Sequence, residues 1–557
     1  MATPIFSSGL KTPPVAHPAH RTKQLLPNIV DGMAHTRPQM LYGELPVSLT
    51  SYDQGYRTIT YGAFANAING IAWWLTKELG PGKNFPAICF MGLNDVRYIV
   101  MVLGAVKAGY KLFLNSTKNS AASNLKLFDD LSCTVLVTTA PEPPAMSKVI
   151  NKEELRILIV PSVHELLTSP VEHFPYPRTF EEAAQDPLVV LHTSGTTGPP
   201  KPIIYTHDFA AACMQMMQLE PPEGFENVSR DYQGMRSFLL LPPFHASSML
   251  APLMEAIATQ TTVIWPLATA VPSAASAVEA LRHNTADAAG FPPPIVIEAA
   301  NHPETLDFLS RNLKLLCYSG GDTPQACGDV ITEHFRFFNV FGATEMSVYP
   351  LLRPQGEWQK DDWKYIHPHP LAGLEFREYI DGLYEAVVVR NAAADDEQPV
   401  FKLFPGLQEY HTQDLFSPHP EKAGLWKFGG RTEEIITLQS GRVNSTVMGH
   451  AVRAHPQVKE GLMVPAGRHA GIGSATKTGL LLELEQNSPL PPVERETLIR
   501  EICALVEKAD LEYEVEARVT RDGILLVDNG RPLPRNAKGM VQRNMAVELY
   551  ATELEML

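Results

Sequence analysis

The chain has 557 residues, 45% of them hydrophobic and 19% charged, which excludes disordered and fibrous classes and leaves room for roughly two to four domains. Its 46 basic and 61 acidic side chains give a net charge of −15, and no basic stripe offsets it, so nucleic-acid binding is disfavoured. Six cysteines (Cys89, Cys133, Cys213, Cys317, Cys327 and Cys503) are scattered without a C-x-x-C pair, and read as reduced core residues, not as a disulfide framework or a zinc site.

The first forty residues are rich in proline and poor in periodicity and read as a loosely ordered lead-in. They hold no apolar stretch of signal-peptide type. From Thr60, the residues Phe64, Ile68, Ile71, Leu75 and Leu79 fall on one helical face that ends at Gly80. A strand is expected at 87–90, then a helix from about 94 to 108 ending at Gly109. Lys107 interrupts the most apolar run, between Tyr98 and Leu114, so no membrane span is expected. The final Glu555-Met556-Leu557 is not a peroxisomal address, and a soluble, cytoplasmic protein is predicted.

Further strands are expected at 111–114, 134–137, 157–160, 188–191, 238–241, 262–265, 313–317 and 335–340. Near-continuously apolar strands alternating with helical stretches predict an α/β fold with a parallel sheet covered on both faces. From about Glu433 the texture changes to a smaller unit, with a helix at 493–509 and a strand pair around 523–527.

Chemistry-bearing residues cluster at the ends of these strands, where ligands bind in open α/β sheets. His192-Thr193-Ser194-Gly195-Thr196-Thr197-Gly198-Pro199-Pro200-Lys201 follows a strand directly. Its small hydroxyl residues and glycines let backbone N–H groups close around phosphate oxygens, and Lys201 adds charge. Pro202 after Lys201 rules out a Walker A loop.

The run resembles the phosphate loop of the ANL superfamily of adenylate-forming enzymes, and other segments resemble that family's motifs in the same order. Asn339-Val340-Phe341-Gly342-Ala343-Thr344-Glu345 is similar to N-x-Y-G-x-T-E, and Ser319-Gly320-Gly321 to the glycine turn beside the adenine. Thr412-Gln413-Asp414-Leu415 resembles T-G-D-L, with Gln413 where glycine is usual. Gly430-Arg431-Thr432-Glu433-Glu434-Ile435 resembles the hinge strand, with Glu433 in place of Asp. Leu533-Pro534-Arg535-Asn536-Ala537-Lys538-Gly539 resembles the segment of the catalytic lysine. Taken singly, Asp414 reads equally as a turn residue, Arg431 as a surface ion pair and Lys538 as a solvated lysine. Their order along nearly the whole chain carries the resemblance.

The resemblance implies a large N-terminal adenylate-forming domain with parallel sheets and a small, mobile α+β C-terminal domain. The expected boundaries are 1–24 for the lead-in, 25–432 and 433–557, with the hinge at Glu433. It implies that Thr193, Ser194, Gly195, Thr196, Thr197, Gly198 and Lys201 hold the β- and γ-phosphates of ATP. Glu345 would hold Mg2+, Thr344 contact the α-phosphate, and Phe341, Gly342, Asn339, Val340, Ser319, Gly320 and Gly321 frame the nucleotide. Asp414 and Arg431 would fix the ribose, and Lys538 would bridge the acid and the α-phosphate.

Leu241-Pro242-Pro243-Phe244-His245-Ala246 stands where amino-acid-activating relatives carry Phe-Asp. An imidazole at His245 does not hold an ammonium group, so a non-amino acid is expected. The expected pocket walls are His245, Phe291, Pro292, Pro293, Ser319, Met346 and Val348, apolar and semi-rigid, which suits an aryl acid. The Pro534–Arg543 segment and the Leu549-Tyr550-Ala551 ending look most like fungal carboxylic acid reductases built on the non-ribosomal-peptide-synthetase plan. The expectation is therefore an excised adenylation domain that delivers an acyl group to the phosphopantetheine thiol of a carrier, ahead of an NADPH reductase domain. The alternatives are a free-standing ligase using coenzyme A, and a catalytically silent AMP-binding module.

Overall fold

Thr60 caps the helix Tyr61–Leu79 by accepting a hydrogen bond from the Ala63 N–H, and Gly80 ends it with φ 81°. This helix packs against Leu26–Thr36 and Arg97–Lys107 in the computed structural model. The structure describes residues 23–144, 146, 150, 154–193, 200–356, 359–439, 441–467, 475–485, 491–513, 515–535 and 541–557. The helix Leu26–Thr36 lies in the stretch expected to be loosely ordered. Leu26, Ile29, Val30 and Met33 recur at helical spacing and are buried, and Pro27 occupies the first turn, where a missing N–H is harmless.

Every residue of Arg97–Lys107 is buried. Its two cations are paired, Arg97 with Asp95 at 2.7 Å and Lys107 with Asp31 at 2.7 Å, which allows a helix apolar on all sides to sit inside the protein. It starts at Arg97, not near Asn94, because Asp95 accepts the Arg97 N–H at 2.9 Å. Among the described residues no helix is long and apolar enough to cross a membrane.

Two mainly parallel sheets flank these helices. One orders its strands Arg156–Ile159, Val135–Thr138, Ala87–Met91, Lys111–Leu114, Pro187–His192 and Pro202–Thr206, the last antiparallel. The other runs Arg336–Asn339, Leu315–Tyr318, Ala288–Phe291, Arg236–Leu239, Thr262–Ile264, Leu41–Pro46 and Tyr56–Thr60. A single core joins them: Leu188 and Val189 from the first and Val263 and Trp265 at the second share a cluster with the three helices. A second core, with Phe291, Tyr318, Phe337 and Trp363, lies on the far face of the second sheet. Both faces are thus covered, which is why the strands read as unbroken apolar runs.

An antiparallel sheet follows, ordered Tyr365–Ile366, Trp426–Arg431, Glu409–Pro418, Leu383–Val389 and Leu374–Ile380. Beyond it, Val458–Ala466, Lys477–Leu484 and Ile524–Leu526 form a sheet with the helices Thr446–Val452 and Pro492–Ala509 on one face, over a core containing Met448, Leu480 and Ile502. The other face is closed by Ala546, Tyr550 and Leu554. The strand pair expected around 523–527 is one strand, and its partner is distant in sequence: Ile524–Leu526 lies parallel to Lys477–Leu484. A parallel partner has to come from afar, so local pattern could not reveal it.

Candidate active site

The strands Pro187–His192 and Pro202–Thr206 pair antiparallel, with His192 opposite Pro202. The serine–threonine–glycine run therefore falls between the two strands of a hairpin. Its neck is closed by Thr193, whose N–H donates to the Lys201 carbonyl at 3.1 Å and whose hydroxyl accepts the Lys201 N–H at 3.3 Å. Lys201 is exposed. Ser194, Gly195, Thr196, Thr197 and Gly198 lie outside the described residues, as does Lys538.

Gly342–Ala343 pairs with Ser347–Val348, so Thr344, Glu345 and Met346 form the tip of a second, short hairpin. A tyrosine tethers this tip, and the charge of Glu345 reaches a second one. The buried Tyr205 hydroxyl, on the strand leaving the phosphate-type loop, donates to the Thr344 carbonyl at 2.6 Å. Burial raises the Tyr410 phenol well above its ordinary value, and the neighbouring carboxylates Glu345 and Asp414 raise it further while Arg431 opposes them. The charges of Glu345, Asp414 and Arg431 are thus all felt at Tyr410. Asp414 and Arg431 are cross-strand partners, with Nε 3.1 Å from Oδ1. Phe341 is 7% exposed, its ring edge-on to Phe416 at 5.2 Å, so the aromatic of this motif packs chiefly into the core beneath the Asp414 strand.

Gln413 has φ 62°, the left-handed region that favours glycine. The register with Leu383–Val389 shifts here, and the Thr412 hydroxyl bridges the irregularity by donating to the Ala386 carbonyl at 2.8 Å and accepting the Asp414 N–H at 3.1 Å. This local bulge aims the Asp414 side chain.

The turn Ser319-Gly320-Gly321 follows Leu315–Tyr318, with Gly320 at φ 85° and both glycines exposed. Asn339 ends the neighbouring strand, and the Val340 N–H donates to the Tyr318 carbonyl at 2.8 Å. Strand alternation sorts the expected pocket walls. Phe291 is fully buried in the core on the far face, and Met346, 1% exposed, belongs to the core around Tyr349. The opposite face presents Gly290 beside Cys317, and both keep some open surface, as do Ser319 and Val340. Pro292 and Val348 are half-buried, and Pro293 is buried as the first residue of its helix. His245 is half-buried, sits at the N-cap of Ala246–Leu250 and lies against Phe244 at 5.1 Å.

Glu433 lies in the 3-10 turn Thr432–Glu434. Its neighbour Glu434 accepts the Arg431 N–H at 2.7 Å and the Thr446 hydroxyl at 3.1 Å. Arg543 comes up from below: its guanidinium donates to the Met463 carbonyl at 2.6 Å and to the Ser445 hydroxyl. Burial lowers its pKa while Glu434 and Glu433 raise it. Above this junction His450 faces Asp322 at 3.8 Å, and Asp322 is held by Lys364 at 3.0 Å.

Tyr205, Tyr410 and Gly290 were not picked out from sequence, Cys317 was read only as a core cysteine, and Arg543 only as the end of a family-like segment. Tyr205, Tyr410 and Gly290 lie outside the recognisable motifs, and only the alternation of the strands could have pointed to Gly290 and to an open side at Cys317. A surface cavity lined by Leu45, Arg57, Asp95, His164 and Pro266 contains none of the motif residues, and Asp95 there is already engaged by Arg97.

An open, mainly parallel α/β unit with its polar residues gathered at strand ends, followed by a small α+β unit, is an architecture shared with solved adenylate-forming enzymes. The o-succinylbenzoate coenzyme A synthetase of Bacillus subtilis, in complex with AMP, matches with a TM-score of 0.66 and 17% identity, over 93% of this chain and 97% of that one. A benzoate CoA ligase from Burkholderia xenovorans matches with a TM-score of 0.67 and 16% identity, over 94% and 99%.

The AMP-binding enzyme family profile matches residues 43–375, and the profile of its C-terminal domain matches 433–557. The chain belongs to this family and is an adenylate-forming enzyme of the ANL superfamily. A carboxylic acid reductase of Neurospora crassa is 30% identical over 546 residues, 96% of this chain and 50% of the relative. An adenylate-forming reductase of Serpula lacrymans is 26% identical over 588 residues, 100% of this chain and 51% of the relative. The chain spans about half the length of these curated relatives.

Proposed function

We propose that this chain uses ATP and Mg2+ to activate an aryl carboxylic acid, not an α-amino acid, as its acyl-adenylate, and passes the acyl group to a carrier's phosphopantetheine thiol within a carboxylic acid reductase. The observation that carries the reading is the Asp414–Arg431 pair at 3.1 Å, aimed by the bulge at Gln413, together with the Thr344–Glu345 hairpin tip that Tyr205 tethers to the strand following Lys201. ATP and Mg2+ fit this arrangement. A half-buried carboxylate at a hairpin tip is a hard oxygen ligand, and a carboxylate aimed by a bulge can accept from two adjacent hydroxyls. Apart from its two chain neighbours, no described residue lies within 4 Å of where a Cβ on Gly320 would stand, which leaves open space beside the turn for a base.

In the first step a carboxylate oxygen of the acid forms a bond to the α-phosphorus, the bond to the bridging oxygen breaks, and pyrophosphate leaves with the electron pair. No proton has to move, so the residues contribute position and charge. Glu345 places the metal, Thr344 and Lys538 meet the α-phosphate, Asp414 and Arg431 hold the ribose, and His245 lies at the acid's carboxylate end. The units 25–432 and 433–557 then turn about Glu433, with 1–24 as lead-in, to admit the thiol. The names of the fungal relatives and their roughly doubled length support the reductase setting.

The test is mass spectrometry of the acyl group after incubation with ATP, Mg2+ and an aryl acid. The acceptor is coenzyme A, or a carrier domain bearing phosphopantetheine. Thioester on the carrier and none on coenzyme A is the expected result; efficient turnover to the coenzyme A thioester would overturn the carrier assignment. Lys538→Ala should abolish adenylate formation, and full activity in that variant would remove its role.

A further inference from the structure

The chain from 246 to 259 runs as one continuous helical rod, with a π-helical turn at Ala251–Glu255 between two α-helical pieces. π turns are rare and frequently mark functional sites. Between 247 and 259, only Ser247, Ala251 and Glu255 keep open surface; every other residue is buried. These three are spaced by four and lie on one face of the rod. Two of them are small, and the third is a carboxylate.

The open face looks inward. Glu255 is enclosed deep in the protein, and burial alone pushes its carboxyl up to about 7. The rod ends beside Tyr232, where the Gly234 N–H donates to the Thr259 carbonyl at 3.0 Å and the Thr261 hydroxyl to the Tyr232 carbonyl at 2.9 Å, and the Glu255 charge raises both the Tyr232 hydroxyl and the Cys317 thiol. Those two side chains sit on the sheet face that carries Gly290 and Val340, opposite the face that buries Phe291. The Glu255 side chain makes no hydrogen bond or ion pair with any described residue, which is unusual for a carboxyl at this depth. A deep, unpartnered carboxyl with open surface borders a space that a ligand can fill.

We propose that Glu255 is a specificity-determining residue at the floor of the acid pocket, and that it selects an aryl acid whose end distal to the carboxylate carries a hydrogen-bond donor, a hydroxyl or an amine. The inference rests on the aryl-acid reading above and deepens it. Helical rise puts Glu255 about 15 Å along the rod from His245. Once both side chains are accommodated, one aromatic ring with its two substituents spans the remainder. Whether ionised or protonated, Glu255 offers an acceptor oxygen to the donor, with Tyr232 and Cys317 completing a polar floor. An acid lacking the donor leaves that floor buried and unpaired, which is the strongest form of discrimination a pocket achieves.

The test is acid-dependent pyrophosphate release by the full chain on matched acids: benzoate, 4-hydroxybenzoate and 4-aminobenzoate, and cinnamate with 4-hydroxycinnamate. The wild-type protein should favour the donor-bearing acid of at least one set by roughly 10- to 100-fold in kcat/KM. Glu255→Leu should abolish the preference, and Glu255→Gln, which keeps an acceptor oxygen, should retain most of it. Because the readout is a ratio between acids, it does not depend on the fraction of variant that folds. A wild-type protein indifferent to the donor, or a Leu variant that keeps the preference, overturns the inference alone. Adenylation confined to amino or fatty acids overturns the aryl-acid reading and the inference together.

Discussion

Asp414 and Arg431 face each other across neighbouring antiparallel strands, with the Arg431 Nε 3.1 Å from an Asp414 carboxylate oxygen. The guanidinium therefore holds the carboxylate in place before any ligand arrives. Pre-positioning of this kind favours a diol, because little freedom is lost when the hydroxyls bind. Asp414→Ala should raise the KM for ATP by about 30-fold, the equivalent of about 2 kcal/mol for a hydrogen bond to a charged group. The KM for the acid should change far less. An ATP dependence of adenylation equal to that of the unsubstituted protein would remove the ribose assignment.

The bulge that aims Asp414 contains a strained residue. Gln413 at φ 62° bears a side chain in a region that disfavours one by about 1–2 kcal/mol. Gln413→Gly should relieve that strain but gain freedom in the unfolded chain, for a net stabilisation of about 0.5–1 kcal/mol. Thermal melting and urea titration of the two proteins measure it, and a lower midpoint for the glycine variant would contradict the strain argument.

Tyr205 couples the two hairpins of the site. Its hydroxyl, fully buried, donates to the Thr344 carbonyl at 2.6 Å. Tyr205→Phe should destabilise the fold by about 1–2 kcal/mol. It should also lower the rate of adenylation at saturating ATP and acid by about tenfold, since the Glu345 tip loses its tether. A stability loss with an unchanged rate would show that the tether is structural only.

His207 should give the protein an acid-labile core. It is 1% exposed, both ring nitrogens lack a partner among the described residues, and burial with a smaller contribution from Arg178 lowers its pKa to about 4. An unfolded chain binds that proton near pH 6.5, so between pH 6.5 and 4 the unfolded state takes up more protons. The His207 contribution should therefore lower stability by about 3 kcal/mol as pH drops through this window and add no pH dependence above it. Glu255 has the opposite sign: its folded carboxyl holds a proton up to about 7, so stability falls as pH rises from 4.5 to 7. The two contributions are of similar size and largely offset each other in the unsubstituted protein, so in His207→Leu the Glu255 slope should emerge, with stability rising by about 3 kcal/mol from pH 7 toward pH 4.5. Urea midpoints across pH 4.5–7 measure this, and an unchanged profile would contradict it.

Much of the fold was legible in the sequence because both faces of the main sheets are covered, which writes their strands as unbroken apolar runs such as 87–91 and 111–114. The helix Leu26–Thr36 was obscured by surrounding prolines although its own apolar spacing is regular. The partner of Ile524–Leu526 was invisible because a parallel partner lies far along the chain. For the site, motifs pointed to Thr344, Glu345, Asp414 and Arg431, whereas Tyr205 and Tyr410 act through position and leave no local signature. The pocket walls depended on which face of a strand is open. Phe291 and Gly290 are adjacent residues, and a step of one exchanges core for cleft.

Acid-dependent release of pyrophosphate from ATP and Mg2+ tests the account most directly. The panel is benzoate, hydroxybenzoates, cinnamate, a medium-chain fatty acid and several amino acids, each with and without coenzyme A. The account predicts release with an aryl acid, dependent on Mg2+ and unaffected by coenzyme A. Release with amino acids alone, or with no acid in the panel, would contradict it.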